Sequence, residues 1–294
     1  MSSQPAIIEA AINGATTKDR NPNVPRSAEE IAADALACIE AGAAIIHNHV
    51  SVSNTTGEEA AEAYLAAWRP VISARPDAIL YPTVNFSGGS HNYDHIAPLA
   101  RSGVLRMGLC DPGSVNLGRR GDGIPRGALV YANSFDDIAY QLELMNEHGL
   151  GCSLAIYEPG FLRCVLAWHQ AGHLPAGSLV KLYFSTDEGL TGMAFGLPPT
   201  RPALDAYLEL LEGSGLPWAV SLAGGDVVAS GLADLALERG GHVHLGLEFY
   251  GGDRTPTNVE LVQEAVARCE AHGRPVATPD DAAAILGLRE RAPA

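Results

Sequence analysis

Two histidines separated by one residue end an apolar run, AAIIHNHV, in which they are His47 and His49. If the run is a strand, its side chains alternate between two faces, so both imidazoles point the same way at the strand's end. Imidazole nitrogens are common ligands of transition metals. The spacing predicts a pair of metal ligands, although isolated histidines are also often surface or hydrogen-bonded core residues.

A carboxylate late in the chain can complete the ligand set. In HVHLGLE, residues 242–248, the apolar residues alternate, which leaves His242, His244 and Glu248 on the opposite face. Two imidazoles and one carboxylate leave an open coordination position, which suits catalytic Zn2+, with Fe2+, Mn2+ or Co2+ as alternatives. His244 is a poorer ligand candidate, because roughly 13 Å of strand separates it from Glu248.

One unit repeats along the chain and can supply the frame for these residues. Eight short β-branched or apolar runs alternate with longer segments of helical periodicity. This pattern is typical of a (β/α)8 barrel, and TPDDAAAILGL predicts an extra short C-terminal helix. No G-x-G-x-x-G follows the first run, which disfavours a doubly wound open sheet. We expect one catalytic barrel domain over residues 1–294.

The barrel explains the position of the histidines and predicts a polar interior. The C-terminal ends of barrel strands form the active site of such enzymes, and His47, His49 and Glu248 fall there. Strand alternation also directs Asn13 and three charged side chains inward. These charged residues are Glu9, Arg106 and Lys181. We expect them to neutralise one another in the barrel, with a catalytic role as the open alternative.

Composition limits the classes of partner and the compartment. The net charge of −15 disfavours nucleic acid and anionic membranes as general partners. No apolar run approaches the roughly 18 residues of a membrane span, and the first residues do not resemble a secretion signal, so we expect a cytoplasmic protein. The five cysteines are scattered without C-x-x-C spacing, which predicts reduced thiols.

Three stretches resemble the β-keto acid cleavage enzyme family: residues 10–50, 240–262 and 273–288. That family carries A-x-x-G-A, N-P-x-x-P and A-G-A-x-x-x-H-x-H early, and V-R-V-G-L-E-D in its last strand. The resemblance implies a (β/α)8 barrel that cleaves a β-keto acid with acetyl-CoA to give acetoacetate and an acyl-CoA. It also implies zinc held by the positions of His47, His49 and Glu248, and a homo-oligomer, usually a tetramer.

Several positions depart from the family's pattern. His244 stands where the family has the arginine of V-R-V-G-L-E-D, and Phe249 replaces the aspartate implicated in proton and Claisen chemistry. Thr16 replaces an acidic residue, and Ser51 and Val52 follow H-x-H in place of a basic and an acidic residue. We interpret the chain as a divergent member that keeps its metal and has a rebuilt substrate pocket.

Substrate-binding residues are expected in the loops that follow the strands. The family's S-T-G-G stretch binds the substrate carboxylate and appears here as FSGG. The candidate substrate ligands are Ser87, Gly88 and Gly89 of this stretch, Ser114 and Asn116 of CDPGSVN, and Asn13. A β-keto acid chelates a metal through its keto and carboxylate oxygens, so these residues would hold the remaining groups.

The acid–base residue is left open by the sequence. Glu158 and Asp111 fall where loops after strands begin, and His244 and Arg106 lie on inward-facing positions. Asp226 is a further candidate, for which a helix N-cap is the favoured interpretation.

A cluster of three arginines follows the fourth strand. Arg119, Arg120 and Arg126 lie in the glycine-rich segment NLGRRGDGIPRG, on the barrel face that carries the metal ligands. Arginine binds phosphates through several hydrogen bonds, so this segment is predicted to bind the phosphates of CoA. A solvated surface loop or a subunit contact is the alternative.

Two other function classes stay open. A metal-dependent lyase or aldolase on the same barrel would use the same ligands without CoA. A barrel that binds metal and ligand without turnover is consistent with Phe249 and His244. Dependence of β-keto acid consumption on acetyl-CoA separates the CoA-dependent cleavage enzyme from the lyase, and metal content without turnover would indicate the binding protein.

Overall fold

The computed structural model describes residues 4–50, 55–85, 92–189, 192 and 194–290. The strands are β1 (Ile8–Ala11), β2 (Ile45–His47), β3 (Ile79–Tyr81), β4 (Met107–Cys110), β5 (Val115–Gly121), β6 (Ile124–Tyr131), β7 (Gly151–Ile156), β8 (Leu179–Ser185), β9 (Trp218–Ala223) and β10 (His242–Leu245). The helices are α1 (Ala28–Ala41), α2 (Gly57–Ala74), α3 (Ile96–Arg101), α4 (Phe135–His148), α5 (Pro159–Gln170), α6 (Arg201–Leu211), α7 (Leu232–Glu238), α8 (Asn258–Ala271) and α9 (Pro279–Leu286).

Eight of the strands form a nearly closed parallel barrel. Their order is β3-β2-β1-β10-β9-β8-β7-β4, and the two end strands β3 and β4 contact each other. The first strand pairs with the last, with Glu9 opposite His244. A helix follows each barrel strand along the chain, and α9 is the additional C-terminal helix. The predicted (β/α)8 barrel with an extra short helix is confirmed.

Local sequence signals account for where the helices begin. Five helices begin with a capping box, in which the side chain of the N-cap residue and an acidic residue three positions later bond each other's backbone N–H. These pairs are Ser27 with Glu30, Thr56 with Glu59, Ser134 with Asp137, Thr257 with Glu260, and Thr278 with Asp281. Each cap stabilises its helix by roughly 1 kcal/mol. The buried helix residues then pack against the barrel in one continuous core.

The segment after β4 differs from the prediction. Instead of a loop, it forms an antiparallel hairpin of β5 and β6, which carries all three arginines of the cluster. Asp122 and Gly123 connect the strands, and both have positive φ, 53° and 79°. A two-residue turn with this backbone matches the twist of a hairpin, and Asp-Gly is its common sequence.

The remaining fold-level observations concern thiols and membranes. All five cysteines are free, and four of them are buried. Among the residues that the structure describes, none of the helices combines the length and the apolar character needed to cross a membrane.

Candidate active site

Three side chains able to bind a metal converge at the C-terminal end of the barrel. His47 ends β2, His49 follows two residues later, and Glu248 lies in the turn after β10. His47 Nε2 is 3.3 Å from Glu248 Oε2, and His49 Nε2 is 3.0 Å from Glu248 Oε1. One ligand atom from each residue lies within 4.8 Å of the others. The three residues predicted as ligands are therefore neighbours.

The arrangement of donor atoms fits a divalent metal ion. The Nδ1 atom of His47 bonds the carbonyl oxygen of Tyr81 at 3.3 Å, which places a proton on Nδ1 and leaves the lone pair of Nε2 facing Glu248. His49 Nε2 and Glu248 Oε2 are buried without a hydrogen bond of good geometry. Buried polar atoms without partners are costly. A metal ion would satisfy both atoms, and this nitrogen and oxygen set is typical of zinc.

The electrostatics favour the ligand forms of these groups. Burial alone would raise the pKa of the Glu248 carboxyl, but the neighbouring His49 and His47 rings hold that pKa well below its usual range. Burial lowers the pKa of His47. Both shifts go toward the forms that bind a metal, an ionised carboxylate and a neutral imidazole.

Asn13 holds the loop that carries His49. Its amide nitrogen donates to the carbonyl oxygens of Pro25 and His49 at 3.1 and 3.0 Å. Its amide oxygen accepts from the backbone N–H groups of Gly14 and His49 at 2.7 and 2.8 Å. These bonds occupy the amide, so Asn13 holds the loop of His49, and its contact with substrate stays a prediction. A Cβ at residue 14 would meet Glu248 Cγ at 2.2 Å, so glycine is needed there.

Asn258 holds the turn that carries Glu248. Its amide oxygen accepts from the backbone N–H of Leu247 at 2.9 Å. Its amide nitrogen donates to the carbonyl oxygen of Ile12 at 2.8 Å and to Asp34 Oδ2 at 2.6 Å. Asn258 was not predicted as a site residue, because an asparagine at the start of a helix indicates helix capping alone.

A buried polar network lies beside the ligands inside the barrel. Glu9 Oε1 accepts from the Tyr81 hydroxyl and from Lys181 Nζ, the latter at 3.1 Å, and Lys181 Nζ also lies 2.6 Å from the Tyr81 oxygen. His244 Nε2 lies 3.4 Å from Glu9 Oε1, and its Nδ1 bonds Ser221 Oγ at 2.8 Å. Burial would raise the pKa of Glu9, but Lys181 and His244 lower it overall. Glu9 and Lys181 thus pair, as predicted.

Arg106 does not belong to this network. It precedes the first residue of β4, and its Nε donates to the carbonyl oxygen of Arg289 at 3.1 Å, at the opposite end of the barrel from the metal ligands. The prediction of an inward, catalytic Arg106 is wrong, because strand alternation was extended past the point where the strand begins.

A cavity of about 460 Å³ opens beside His49 and Glu248. The described residues that line it are Ala15, Thr16, Thr17, Arg20, His49, Thr83, Val84, Asp111, Val115, Leu117, Leu129, Tyr131, Tyr157, Glu248 and Phe249. A smaller pocket of about 30 Å³ shares Asp111, Tyr157 and Phe249 with it and reaches Lys181. The cavity and the smaller pocket are therefore neighbours, and together their linings include Glu248, His49 and Lys181.

Asp111 is the candidate acid–base residue with its carboxyl group in this cavity. Its Oδ2 accepts a hydrogen bond from the Tyr131 hydroxyl, and its backbone N–H donates to Gln141 Oε1 at 3.3 Å. Burial raises the pKa of Asp111 above its ordinary value, although the bond from Tyr131 opposes this shift. Tyr131, at the end of β6, was missed because the hairpin was interpreted as a loop.

Glu158 lies outside the cavity. Its Oε1 accepts from the backbone N–H of Gly196 at 2.9 Å, whereas the preceding Tyr157 lines the cavity. The side chains of Tyr157 and Glu158 thus point in different directions, and only that of Tyr157 reaches the cavity. The position of Glu158 therefore does not support its prediction as the base. Asp226 Oδ1 accepts from the N–H groups of Val228 and Ala229 at 2.9 Å each, so it caps a turn.

The other predicted substrate-binding residues either bond to the backbone, lie exposed on the hairpin, or fall outside the residues that the structure describes. Ser114 Oγ donates to the carbonyl oxygen of Asn133 and accepts from its N–H, both at 3.0 Å, and so closes the base of the hairpin. Asn116 is exposed on β5. Neither lines the 460 Å³ cavity, and Ser114 instead borders a separate pocket beside Glu158, so contact of these two residues with substrate stays a prediction. Ser51, Val52, Ser87, Gly88 and Gly89 lie outside the described residues.

Phe249 places an aromatic ring next to Glu248. Its ring centroid lies 5.1 Å from that of Tyr183 and 5.2 Å from that of His244. His244 is fully buried and bonded within the network, and it does not line the larger cavity. The two departures from the family pattern thus face each other, and neither offers a titratable group to the larger cavity.

Comparisons with known proteins agree along nearly the whole chain. The model of a family described as beta-keto acid cleavage enzyme matches residues 5–288. The chain is 29% identical over 287 residues to a 3-keto-5-aminohexanoate cleavage enzyme of Acetoanaerobium sticklandii, covering 96% of this chain and 98% of that protein. It is 27% identical over 296 residues to a 3-oxoadipate:acetyl-CoA acetyltransferase of Cupriavidus necator, covering 97% and 95%.

A solved structure shares the fold. The complex of ObcA with oxaloacetate has a TM-score of 0.65 at 15% identity, covering 91% of this chain and 68% of that one. At this identity the likeness concerns the fold alone.

Proposed function

The chain belongs to the beta-keto acid cleavage enzyme family, and from this premise we propose that it cleaves a β-keto acid with acetyl-CoA in a metal-dependent reaction, giving acetoacetate and an acyl-CoA. The observation that carries the proposal is the convergence of His47, His49 and Glu248 beside a cavity at the C-terminal end of the barrel. The named acetyltransferase relative supports acetyl-CoA as the second substrate.

The residues of the site have two kinds of role, which are binding of a metal ion and transfer of a proton. His47, His49 and Glu248 would hold a divalent ion, for which Zn2+ suits the donor set. When bound, such an ion polarises a ketone and stabilises an enolate. Asn13 and Asn258 keep the two ligand-bearing loops in place through backbone hydrogen bonds.

We assign the proton transfer to Asp111. Among the predicted acid–base residues it is the one that lines the cavity, and Phe249 has no titratable group. As a base, the carboxylate would accept the proton from the carbon between the keto and carboxylate groups, and the electron pair of the broken C–H bond would form the enolate. A carboxyl group with a raised pKa is a better base near neutral pH than an ordinary one.

Asp111→Asn is expected to lower kcat by about 10²- to 10⁴-fold, the usual contribution of a positioned base, with unchanged metal content. Tyr131→Phe is the matched variant. It removes the bond that lowers the pKa of Asp111, so the acidic limb of the pH–rate profile should move to higher pH. Activity of Asp111→Asn above a tenth of the wild-type value would rule this assignment out.

The arginines of the hairpin are the proposed site for the CoA phosphates. Arg119 and Arg126 are direct partners across the two strands and both are exposed, while Arg120 Nη2 lies 3.8 Å from Asp187 Oδ2. Like charges opposite each other in a hairpin repel, and a bridging phosphate would remove this repulsion. On a chain of net charge −15, a local cationic pair also opposes the general repulsion of CoA.

Arg119→Ala with Arg126→Ala is expected to raise the KM for acetyl-CoA by about tenfold at low salt and less at high salt, because exposed charges are screened. The KM for the keto acid and the metal content should not change. Arg163→Ala, an exposed arginine of α5, serves as the control. An unchanged KM for acetyl-CoA excludes the hairpin, and full-rate keto acid consumption without any CoA thioester favours the CoA-independent lyase.

A further inference from the structure

A small apolar cluster lies at the mouth of the barrel, apart from the main core. Its buried members are Ala11, Ala155, Tyr183, Phe195, Ala223 and Phe249, against which Val115, Leu117 and Tyr157 pack. Ala11 and Ala223 end β1 and β9, so the cluster lies at the barrel end that carries the metal ligands. This end of a barrel usually carries the polar residues of the active site.

The hairpin extends this apolar surface into the cavity. Val115 and Leu117 of β5 pair with Tyr131 and Leu129 of β6, respectively. Because side chains alternate along each strand, these four residues share one face of the hairpin. All four line the 460 Å³ cavity, together with Phe249 beside the metal ligand Glu248. The metal ligands and the hairpin face therefore border the same space.

The charged groups in the described lining are Glu248, Asp111 and Arg20, and none of them belongs to the hairpin face. Glu248 contacts both histidines, and Asp111 accepts the hydrogen bond of Tyr131. The Arg20 guanidinium is exposed and donates to the carbonyl oxygen of Tyr250 at 3.4 Å. A charged group placed against the hairpin face would lose water without gaining an oppositely charged partner there, which is strongly unfavourable.

We propose that the hairpin face, together with Phe249, binds the tail of the β-keto acid. The tail would be an uncharged alkyl or aryl group. The inference rests on the proposed function and specifies its substrate class. The keto and carboxylate oxygens would face the metal ligands, and the carbon chain beyond the ketone would run along the apolar face. Removal of apolar surface from water would supply the binding free energy of the tail.

Three keto acids with the same six-carbon chain provide the first test. With acetyl-CoA present, kcat/KM for 3-oxohexanoate should exceed that for 3-oxoadipate and for 5-amino-3-oxohexanoate by at least about 100-fold. Extension to 3-oxoheptanoate and 3-oxooctanoate should raise kcat/KM by about fourfold per methylene group. Equal rates for the three acids, or a preference for a charged one, would overturn the inference.

A charge on the hairpin face provides the second test. Leu117→Lys should lower kcat/KM for 3-oxohexanoate by about 30-fold or more and bring 3-oxoadipate closer to it, since the new cation pairs with the second carboxylate. Leu129→Lys is a second variant at low risk of misfolding, because Leu129 is 57% exposed. Val130→Lys is the matched control, because Val130 is 56% exposed on the other face of β6 and should leave both rates unchanged.

The kinetic constants distinguish binding of the keto acid tail from binding of the CoA arm. If the lysine variants raise the KM for acetyl-CoA but not for the keto acid, the face binds the CoA arm and the tail assignment is overturned. If the wild type consumes none of the five keto acids with acetyl-CoA, the proposed function fails and this inference with it. Turnover that prefers charged tails leaves the proposed function intact and rejects only the tail assignment.

Discussion

Alanine in place of His47 or His49 is expected to remove most of the bound metal and to lower kcat/KM by at least about 1000-fold. The ligand atoms of these residues and Glu248 lie within 4.8 Å of one another, and each variant leaves two of the three. Two side chains bind a divalent ion far more weakly than three, and in the proposed reaction the ion would polarise the ketone. Elemental analysis of the purified variants, together with steady-state kinetics, measures both effects.

Controls make the metal experiment specific. His173→Ala replaces an exposed histidine outside the ligand set and should retain both metal and activity. A chelator should inactivate the wild type, and added Zn2+ should restore it. Full metal content in the His47→Ala, His49→Ala double variant would contradict the assignment of the site.

Loss of one partner from the buried pair of Glu9 and Lys181 is expected to destabilise the protein by about 3–5 kcal/mol. In Lys181→Met, the Glu9 carboxylate stays inside the barrel with the Tyr81 hydroxyl as its remaining short contact, so a buried charge is left uncompensated. Urea unfolding should show a lower midpoint with a similar slope. The double variant Glu9→Gln, Lys181→Met removes both charges and should recover part of the loss.

The same experiment distinguishes a structural from a catalytic Glu9. If Glu9→Gln unfolds at the same urea concentration as the wild type but has lost turnover, the carboxylate acts in the reaction and a purely structural role is wrong. Tyr81 makes this outcome informative, because its ring stacks on that of His47 with 4.4 Å between centroids and its hydroxyl bonds Glu9.

The barrel and the cluster of His47, His49 and Glu248 were accessible from the sequence for simple physical reasons. Buried parallel strands are mostly apolar, and their alternation with amphipathic segments leaves few architectures. His47, His49 and Glu248 stood at strand ends, where barrel topology brings side chains together however far apart they lie in the chain.

Other parts of the site depended on contacts that the sequence does not encode locally. Asn13 has an amide side chain of the kind that often binds substrates, but this amide is bonded to backbone groups of Pro25, Gly14 and His49. The direction of the Glu158 side chain depends on Gly196, in a loop near in space. The hairpin, in contrast, carried a local signal, since Asp122 and Gly123 form a common two-residue turn.

Strand β1 acquires its partner on one side only after β10 has been synthesised, because these two strands are neighbours in the barrel. The same holds for the ligands, since Glu248 follows His49 by 199 residues (248 minus 49). Contacts of such high sequence separation close large loops and form slowly. A nascent chain should therefore expose an unpaired strand edge on the ribosome and need protection from aggregation there. The cluster of His47, His49 and Glu248 would then form only after the barrel has closed. Metal binding would therefore mark chains that have completed folding.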